Sequence, residues 1–593
     1  MKILLISPEN KKSIYAYSKE DVRAFWFPKL SLPTIAAHTP PDIEVKILDE
    51  VVEDINFDME VDLVGISTMT YLAPRAYEIA ARFRARGVKV VIGGIHASMC
   101  PEEAKEHADS VVVGEAERTW RLLIEDLRRG ELKPFYRETD LPELVGLPIP
   151  RRELLNRKSY WTTNCVQTSR GCPFDCDFCT VTVFGGNQYR LRPVEEVVEE
   201  VRRLNKGYVV FVDDNIAGNK AYAKQLFKAL IPLKIRWGSQ ASLTMTRDPE
   251  LLELAAKSGC TALFIGVESI SEENLISANK RFNKVAKFRE EFKRFHDYGI
   301  MIQTGMIFGF DYDDESSFER TIEFLEENRI ELAMFNILTP LPGTGLYKKM
   351  DAEGRIIDRD WSHYDGRHVV FKPRLISPET LQEGFFWAYH RFYSVPSILK
   401  RVIPSFRYLP AKSLLIERLF VNWAYRRIVH RVPEGSISPL ARILTTLQGS
   451  LPAIETEGLI PNAVSTIREK IGTVSEQVST VGSSLLIRVK KSPKLQALLI
   501  ELDGTMDKIN ALELKTRIIT AAEKAKMDII INFENLRETT PAALSALFDH
   551  GIKHSLHPFK IKCIHLSASF SNVLEQLNPN NLMFVEITPE EAY

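Results

Sequence analysis

Three cysteines at C-x3-C-x2-C spacing, Cys172, Cys176 and Cys179 in the run SRGCPFDCDFC, constrain this chain more than any other feature. Thiols so close in sequence converge on one centre, and the fold must supply a loop that holds them there. The other four of the seven cysteines, Cys100, Cys165, Cys260 and Cys563, are scattered singly, as small buried core residues usually are. In a reducing compartment a tight group of thiols points to metal binding more than to disulfides. Three thiolates can ligate three irons of a cubane and leave the fourth open to an outside ligand, whereas a four-cysteine ferredoxin site closes it. An open iron implies chemistry on a cofactor or substrate. A zinc site missing a fourth ligand, or a chance grouping, is the competing reading.

At 593 residues the chain should contain roughly four units. Over residues 1–150 the apolar runs KILLIS, VKILD, DLVGIST, VKVVIGG and DSVVVGE alternate with helical stretches such as Ala73–Arg86, which predicts a doubly wound, Rossmann-like α/β domain. Pro134, Pro142, Pro148 and Pro150 then lead into a second α/β series over 151–375. Its predicted strands lie near Val166–Ser169, Tyr208–Val212, Ile235–Ser239, Ala262–Gly266, Met301–Phe308 and Met334–Leu338. Six such units fit a partial (β/α)6 barrel better than a closed eightfold one. Residues 376–450 read as a helical, aromatic and basic extension, and 451–484 as a linker with one amphipathic helix. A last αβ unit, 485–593, has strands at ALLIEL, DIIINF and KIKCIHL with helices between them.

The cysteine run, with the barrel that follows it to about residue 375, resembles the radical S-adenosylmethionine (SAM) superfamily. The resemblance implies a [4Fe–4S] cluster whose open iron is chelated by the amino and carboxylate groups of SAM. Electron transfer into the sulfonium then yields methionine and a 5′-deoxyadenosyl radical. It implies further that Phe178 lies against the adenine. Asp213, Asp214 and Asn215 stand where the family has its amino-group motif, although they depart from the common Gly-Gly-Glu. Glu268 and Ser269 fall at the height of the ribose or carboxylate, with Gln240 a weaker candidate. Gly305 and Gly309 in GMIFGF match the adenine-binding strand, where absent side chains let the backbone approach the base. A strand-end carboxylate can equally cap the next helix, and that alternative stands for Asp213, Asp214 and Glu268.

A doubly wound domain ahead of this cluster resembles the cobalamin-binding class of radical SAM enzymes. The matching landmarks are Ser67, Thr68 and Met69 after the third strand and Gly93 and Gly94 after the fourth, small residues that would let the nucleotide tail of cobalamin run beside the sheet. The D-x-H-x-x-G motif that supplies a cobalt-ligating histidine has no match. Cobalamin bound without histidine ligation is one reading, and a vestigial domain kept for packing is the other. The final unit resembles a STAS domain: LELDGTMD matches its early strand and turn, and INFENLRETTPAALSALFDHG its strand, loop and helix. The usual phosphorylatable serine would fall near Thr539 or Thr540, but ETTP departs from that family's Asp-Ser-Ser-Gly. The tail is therefore expected to bind a protein partner or direct assembly.

The 77 basic and 78 acidic residues nearly cancel, so no overall field favours nucleic acid. The opening MKILLIS stops at Pro8, too short for a signal-peptide core, and no stretch reaches the roughly 20 apolar residues of a membrane span. A cytoplasmic protein is expected. Nine basic residues between Lys400 and Arg442, interleaved with Phe406, Tyr408, Phe420, Trp423 and Tyr425, suggest either a peripheral contact with the inner face of the membrane or a helical subdomain packed on the barrel with its basic face solvated. The leading functional expectation is methylation of an unactivated carbon on a hydrophobic, lipid-like or tetrapyrrole-like substrate, served by an electron donor such as flavodoxin or ferredoxin. A non-methylating cyclase or carbon–carbon coupling enzyme, and a corrinoid and STAS sensor or scaffold, are the alternatives.

Overall fold

Where every strand is apolar on both sides, both faces of the sheet must be covered, and the first strand shows it: β1 (Lys2–Ser7) buries every side chain after Lys2. The computed structural model describes residues 1–13, 21, 23, 26–138, 140–404 and 412–430, then the strand segments 477–481, 485–492, 497–506, 529–539, 561–564 and 584–586. The chain divides into two units, Met1–Ser450 and Leu451–Tyr593.

In the first unit, β1 joins β2 (Glu44–Asp49), β3 (Leu63–Ser67), β4 (Lys89–Gly93), β5 (Ser110–Val113) and β6 (Phe135–Arg137) in a parallel sheet of order β2-β1-β3-β4-β5-β6. Helix 117–129 lays Trp120, Leu123 and Ile124 on one face, and helix 73–84 lays Ala76, Ile79 and Phe83 on the other. The order reverses between β1 and β3, and the connections leaving on opposite sides open a crevice beyond the carboxyl ends of those strands.

The second sheet consists of β7 (Cys165–Val166), β10 (Tyr208–Phe211), β11 (Arg236–Ala241), β12 (Cys260–Glu268), β13 (Met301–Phe308) and β14 (Leu332–Ile337), parallel and in unbroken chain order, with β7 and β14 as its edges. A short hairpin of β8 (Ser169–Arg170) and β9 (Arg190–Leu191) brackets the cysteine loop. This is the expected partial barrel of six βα units. Its open edge is protected. Tyr389 and Tyr393, from helix 378–392 and its C-cap, place their hydroxyls on β14, donating to the carbonyls of Phe335 (3.0 Å) and Ala333 (2.8 Å) and accepting from the amides of the same two residues. Side chains thus satisfy ladder groups that a neighbouring strand would otherwise take.

The extension after the barrel packs on it through helices 378–392, 395–402 and 412–429. Two of its arginines, Arg401 and Arg418, are buried, whereas Lys400 and Arg427 stay largely exposed. Arg401 is fully buried, donating to the carbonyls of Ile330, Glu331 and Phe392. Arg418 pairs with buried Glu331, Arg427 with Asp21, and Lys400 with Glu326, while Arg426 donates to the Tyr393 carbonyl. The helices pack on the barrel, and Arg401 and Arg418 satisfy carbonyls and a carboxylate that the packing buries, while Lys400 and Arg427 keep half or more of their side chains in solvent. Beside these cations Ile416, Phe420 and Trp423 are also exposed. Arg407, Arg431 and Arg442 lie outside the described residues. Among the described residues no helix is long and apolar enough to cross a membrane.

The second unit contains a mixed sheet, β15 (Gln477–Val481), β16 (Leu485–Ser492), β17 (Ala497–Met506), β18 (Ile529–Thr539), β19 (Ile561–Ile564) and β20 (Phe584–Glu586), paired in that order, antiparallel through β17 and parallel thereafter. The three expected strands are all present. The expected boundary at 485 is not: β15 lies inside the segment read as linker and pairs with β16 over its full length. Its alternation of polar and small residues carries no strong hydrophobic pattern, which is why sequence reading passed over it. The helices expected between these strands, and Thr540, lie outside the described residues.

Candidate functional site

The cysteine loop is built around a glycine that nothing else could replace. Gly171 has φ +84°, and a Cβ there would lie 2.0 Å from the Gln188 carbonyl oxygen; the chain closes the β8–β9 hairpin against itself only without a side chain. The Gly171 amide also donates to Asp214 at 3.2 Å. Beyond the hairpin, Asn279 donates to the Asp175 carbonyl at 2.6 Å and the Asp177 amide to that of Ala278 at 3.1 Å, tying the loop to the segment after β12. Phe174 stacks on Phe282 at 3.6 Å between ring centroids.

Cys172, Cys176 and Cys179 are free and half-buried. Burial pushes all three thiols up, Cys176 to about 12. Three thiolates carried on one loop can each meet a different iron of a cubane and leave the fourth iron open, so the donor set fits a [4Fe–4S] cluster. Among the described residues, His96, Cys100 and Glu103 also bring their ligand atoms within 4.8 Å of one another.

One cation sits beside the sulfurs, and sequence reading missed it. Lys280, from the turn after helix 272–277, is buried and pairs with Glu268 at 2.6 Å. Burial works against its charge, but Glu268 and Cys176 nearby raise the ammonium above its ordinary value. Glu268 is held in the left-handed region, φ +69°, at a register shift between β12 and β13. Such a conformation costs a non-glycine residue roughly 1 kcal/mol or more and persists where the surroundings fix it. Gly266 is part of this arrangement, since a Cβ there would fall 2.3 Å from Glu268 Oε1 and 2.9 Å from Lys280 Nζ. The signal was the lysine twelve residues after IGVE, legible only once helix 272–277 turns the chain back.

The remaining expected SAM residues divide. Asp213 is fully buried and spends one oxygen on Thr168 and Ser169, accepting from the backbone amide and hydroxyl of each. It fastens the loop entering the cysteine hairpin, and burial lifts it to about 6. Asp214 is raised to about 6 by burial as well and holds Gly171 as described. Asn215 is buried with its Oδ1 unpartnered. Ser269 accepts from the Ser271 amide and the Asn274 side chain, so its hydroxyl organises the next helix. Gln240 exposes its side chain and lends only its carbonyl, to Ile216. Gly305 and Gly309 do not present open cradles: the missing side chains make room for Phe264 (2.8 Å) and Leu381 (2.7 Å). Phe178 meets Phe310 edge-on at 6.3 Å.

On the first sheet, Gly94 has φ +98°, and a Cβ there would lie 2.6 Å from the Thr68 carbonyl. Ser67 stands opposite Gly93 in register, so all five expected residues meet at the carboxyl ends of β3 and β4. Met69, Thr70, Tyr71 and Ile95 from this end line a cavity of about 250 Å³ whose other wall is Phe178 and Thr180 of the cysteine loop, Ile307 of β13, and residues 336–341 and 364–366. Among the described residues the lining contains no histidine. His96, next to Ile95, is turned away, with Nε2 near the Tyr77 hydroxyl (3.1 Å) and Glu103 (3.4 Å). Small residues, a close backbone approach and no nitrogen ligand fit a corrinoid held without histidine ligation. Ion pairs of Glu115 and Glu117 with Arg170, and of Glu115 with Arg190, fasten the loop after β5 to the hairpin that carries the cysteines.

The radical SAM superfamily matches residues 166–325, and a B12 binding domain matches residues 35–124. The chain is 34% identical over 413 residues to the bacteriochlorophyllide d C-12(1)-methyltransferase of Chlorobaculum tepidum, spanning 68% of this chain and 89% of that protein. It is 30% identical over 379 residues to the hopanoid C-2 methylase of Rhodopseudomonas palustris, spanning 60% and 72%. Among solved structures, the cobalamin-dependent SAM radical enzyme OxsB with aqua-cobalamin and SAM bound shares the fold, with a TM-score of 0.54 at 16% identity over 75% of this chain and 74% of that one. The two matched regions fall on the two parallel sheets that enclose the cavity, and the chain belongs to the cobalamin-binding radical SAM family, whose cofactors are a [4Fe–4S] cluster, SAM and cobalamin.

Proposed function

We propose that the protein methylates an unactivated carbon of a hydrophobic, lipid-like or tetrapyrrole-like substrate. The observation that carries this reading is the cavity, where loops from the corrinoid end of the first sheet and from the cysteine loop of the second share one mostly apolar lining. Two relatives named for a bacteriochlorophyllide and a hopanoid support a large apolar substrate. When bound, the cluster supplies the electron that cleaves SAM, and the corrinoid supplies the methyl group.

The chain's own residues bind and orient. Cys172, Cys176 and Cys179 hold three irons. Lys280 offers an ammonium to the carboxylate of SAM, Glu268 an acceptor to its amino group, and Phe178 with Phe310 flanks the adenine. Asp213 and Asp214 act one step back, fixing the hairpin that carries the cysteines. Ser67, Thr68, Met69, Gly93 and Gly94 receive the corrinoid, and the apolar walls shut out bulk solvent and solutes, which limits side reactions of the radical. A flavodoxin- or ferredoxin-type donor would supply electrons. A STAS-like tail would serve a protein partner, and a membrane contact would rest on Ile416, Phe420 and Trp423 rather than on the arginines.

The test is anaerobic reconstitution with iron, sulfide and hydroxocobalamin, followed by reaction of methyl-labelled SAM with hydrophobic extracts of a strain lacking the gene. Label appearing in an extractable product supports methyl transfer. SAM cleavage with an altered but unlabelled product would move the assignment to ring closure or carbon–carbon coupling.

A further inference from the structure

The cavity has one charged lining residue, and that residue is incompletely satisfied. Asp365 lies in the segment after β14, with its side chain 5% exposed. Its Oδ1 accepts from the Arg367 amide and from His368 Nδ1, both at 2.9 Å. Its Oδ2 is buried without any partner, although Asp365 lines the cavity. Asn336 of β14, a second lining residue, sits beside it: the carbonyl of the adjoining Gly366 accepts from the Ile337 amide at 2.7 Å, and a Cβ on Gly366 would lie 3.0 Å from Asn336 Oδ1. The rest of the lining is apolar side chains, threonines and tyrosines.

A carboxylate oxygen left unpaired in such surroundings is costly unless something completes it. We infer that Asp365, with Asn336 beside it, is the polar anchor of this cavity, and that its free oxygen accepts a hydrogen bond from an N–H or O–H of the molecule bound there. The donor is either a side-chain amide of the corrin or a hydroxyl or ring N–H on an otherwise apolar substrate. Those two sources share one chemistry, and the fixed Oδ1 makes them testable. With His368 and the Arg367 amide both donating to one side, an asparagine at 365 would turn its carbonyl to them and present its NH2 where Oδ2 was. D365N therefore replaces the acceptor by a donor with no change of shape.

The inference rests on the methyltransferase reading, so wild-type protein is run beside the variant. Wild type that neither binds hydroxocobalamin nor yields a labelled product would sink that reading and not the anchor. Hydroxocobalamin is titrated onto cluster-reconstituted full-length D365N, and product is read by mass spectrometry of lipid and pigment extracts from the producing strain carrying the variant. A loss of about tenfold or more in hydroxocobalamin affinity assigns the donor to the corrin. Unchanged affinity with at least a tenfold fall in the wild-type product assigns it to the substrate. Wild-type behaviour in both readouts overturns the inference, and so does loss of the cluster, which would make Asp365 a residue of the fold. N336A should move the same readout in the same direction by a smaller factor, and a shift in the other readout would overturn the pairing.

Discussion

The two parallel sheets of the first unit have the same number of strands and the same alternation with helices, yet they finish their strands differently. The first reverses its order between β1 and β3 and ends β3 and β4 in Ser67, Thr68, Gly93 and Gly94, small uncharged residues whose backbones close on one another. The second runs in unbroken order and ends in Asp213, Asp214 and Glu268, with Lys280 folded back onto the last of these. Small ends leave room for a bulky ring system to approach the backbone. Charged ends instead hold the neighbouring chain, Asp213 and Asp214 the cysteine hairpin and Glu268 the lysine. On the proposed function, one architecture would serve two cofactors by changing what stands at the strand ends and leaving the sheets alike.

The comparison is broken hardest at the cysteines. Replacing Cys172, Cys176 or Cys179 singly by Ala is expected to abolish 5′-deoxyadenosine production, since two thiolates cannot hold the cubane. Alanine at Cys100, Cys165, Cys260 or Cys563 should leave it within a few-fold of wild type. Full turnover by a C176A protein with an intact iron–sulfur spectrum would refute the assignment.

Next comes the Glu268–Lys280 pair. Removing one partner of a buried ion pair leaves an uncompensated charge and typically costs about 3–5 kcal/mol. K280M should therefore both lower the denaturation midpoint and raise the KM for SAM. If the lysine served the fold alone, the K280M/E268Q double variant would recover stability and SAM affinity together. Recovered stability with SAM affinity still weak is the expected result. On the first sheet, G94V should reduce hydroxocobalamin binding at unchanged iron content, because its side chain would meet the Thr68 carbonyl; corrinoid bound as tightly as by wild type would show that this end does not receive it.

A smaller effect is expected where the extension meets the barrel. Burial opposes ionisation of Glu331, but His296 and Arg418 beside it hold the carboxyl down to about 2. A folded value below the unfolded one contributes stability that is fully present above about pH 4.5 and is lost as pH falls toward 2. E331Q should be less stable than wild type at pH 7, and the difference should shrink on acidification. A constant difference between pH 7 and pH 3 would assign the effect to packing.

Much of this was legible in sequence, for identifiable reasons. The cysteines lie within one loop, so their spacing alone gathers them. The first five strands of the amino-terminal sheet are short, largely apolar runs, a pattern that marks buried strands. Lys280, Asn336 and Asp365 were not legible, because the topology brings them to the site: Lys280 by a helical turn, Asn336 by its place near the end of β14, and Asp365 by the segment that returns across that strand. The strand-end carboxylates fell between. Glu268 stands beside the cysteines through Lys280, whereas Asp213 spends its oxygen on Thr168 and Ser169, and no local pattern separates a carboxylate aimed at a ligand from one that binds its neighbours. In 400–430 composition could not tell Arg401 and Arg418, which are buried, from Lys400 and Arg427, which are exposed, because it does not show whether a cation faces solvent or a buried carbonyl.

The smallest effect on chemistry is expected from the tail. Residues 451–593 form a separate unit, and every residue assigned here to the cluster, SAM or the corrinoid lies before it. Truncation after Ser450 should therefore leave the rate of SAM cleavage within about twofold, while oligomeric state, partner binding or membrane recruitment changes. Where the tail is cut matters for its own stability. Strand β15 pairs with β16 along its whole length, so a fragment starting at Leu485 loses an edge strand and bares the ladder of β16, a template for aggregation. A fragment starting at Leu451 should be soluble and unfold in one cooperative transition, and one starting at Leu485 should melt lower or aggregate. Equal melting of the two would show that β15 adds nothing to the sheet, and a truncated enzyme that loses its iron would show that the tail belongs to the catalytic unit.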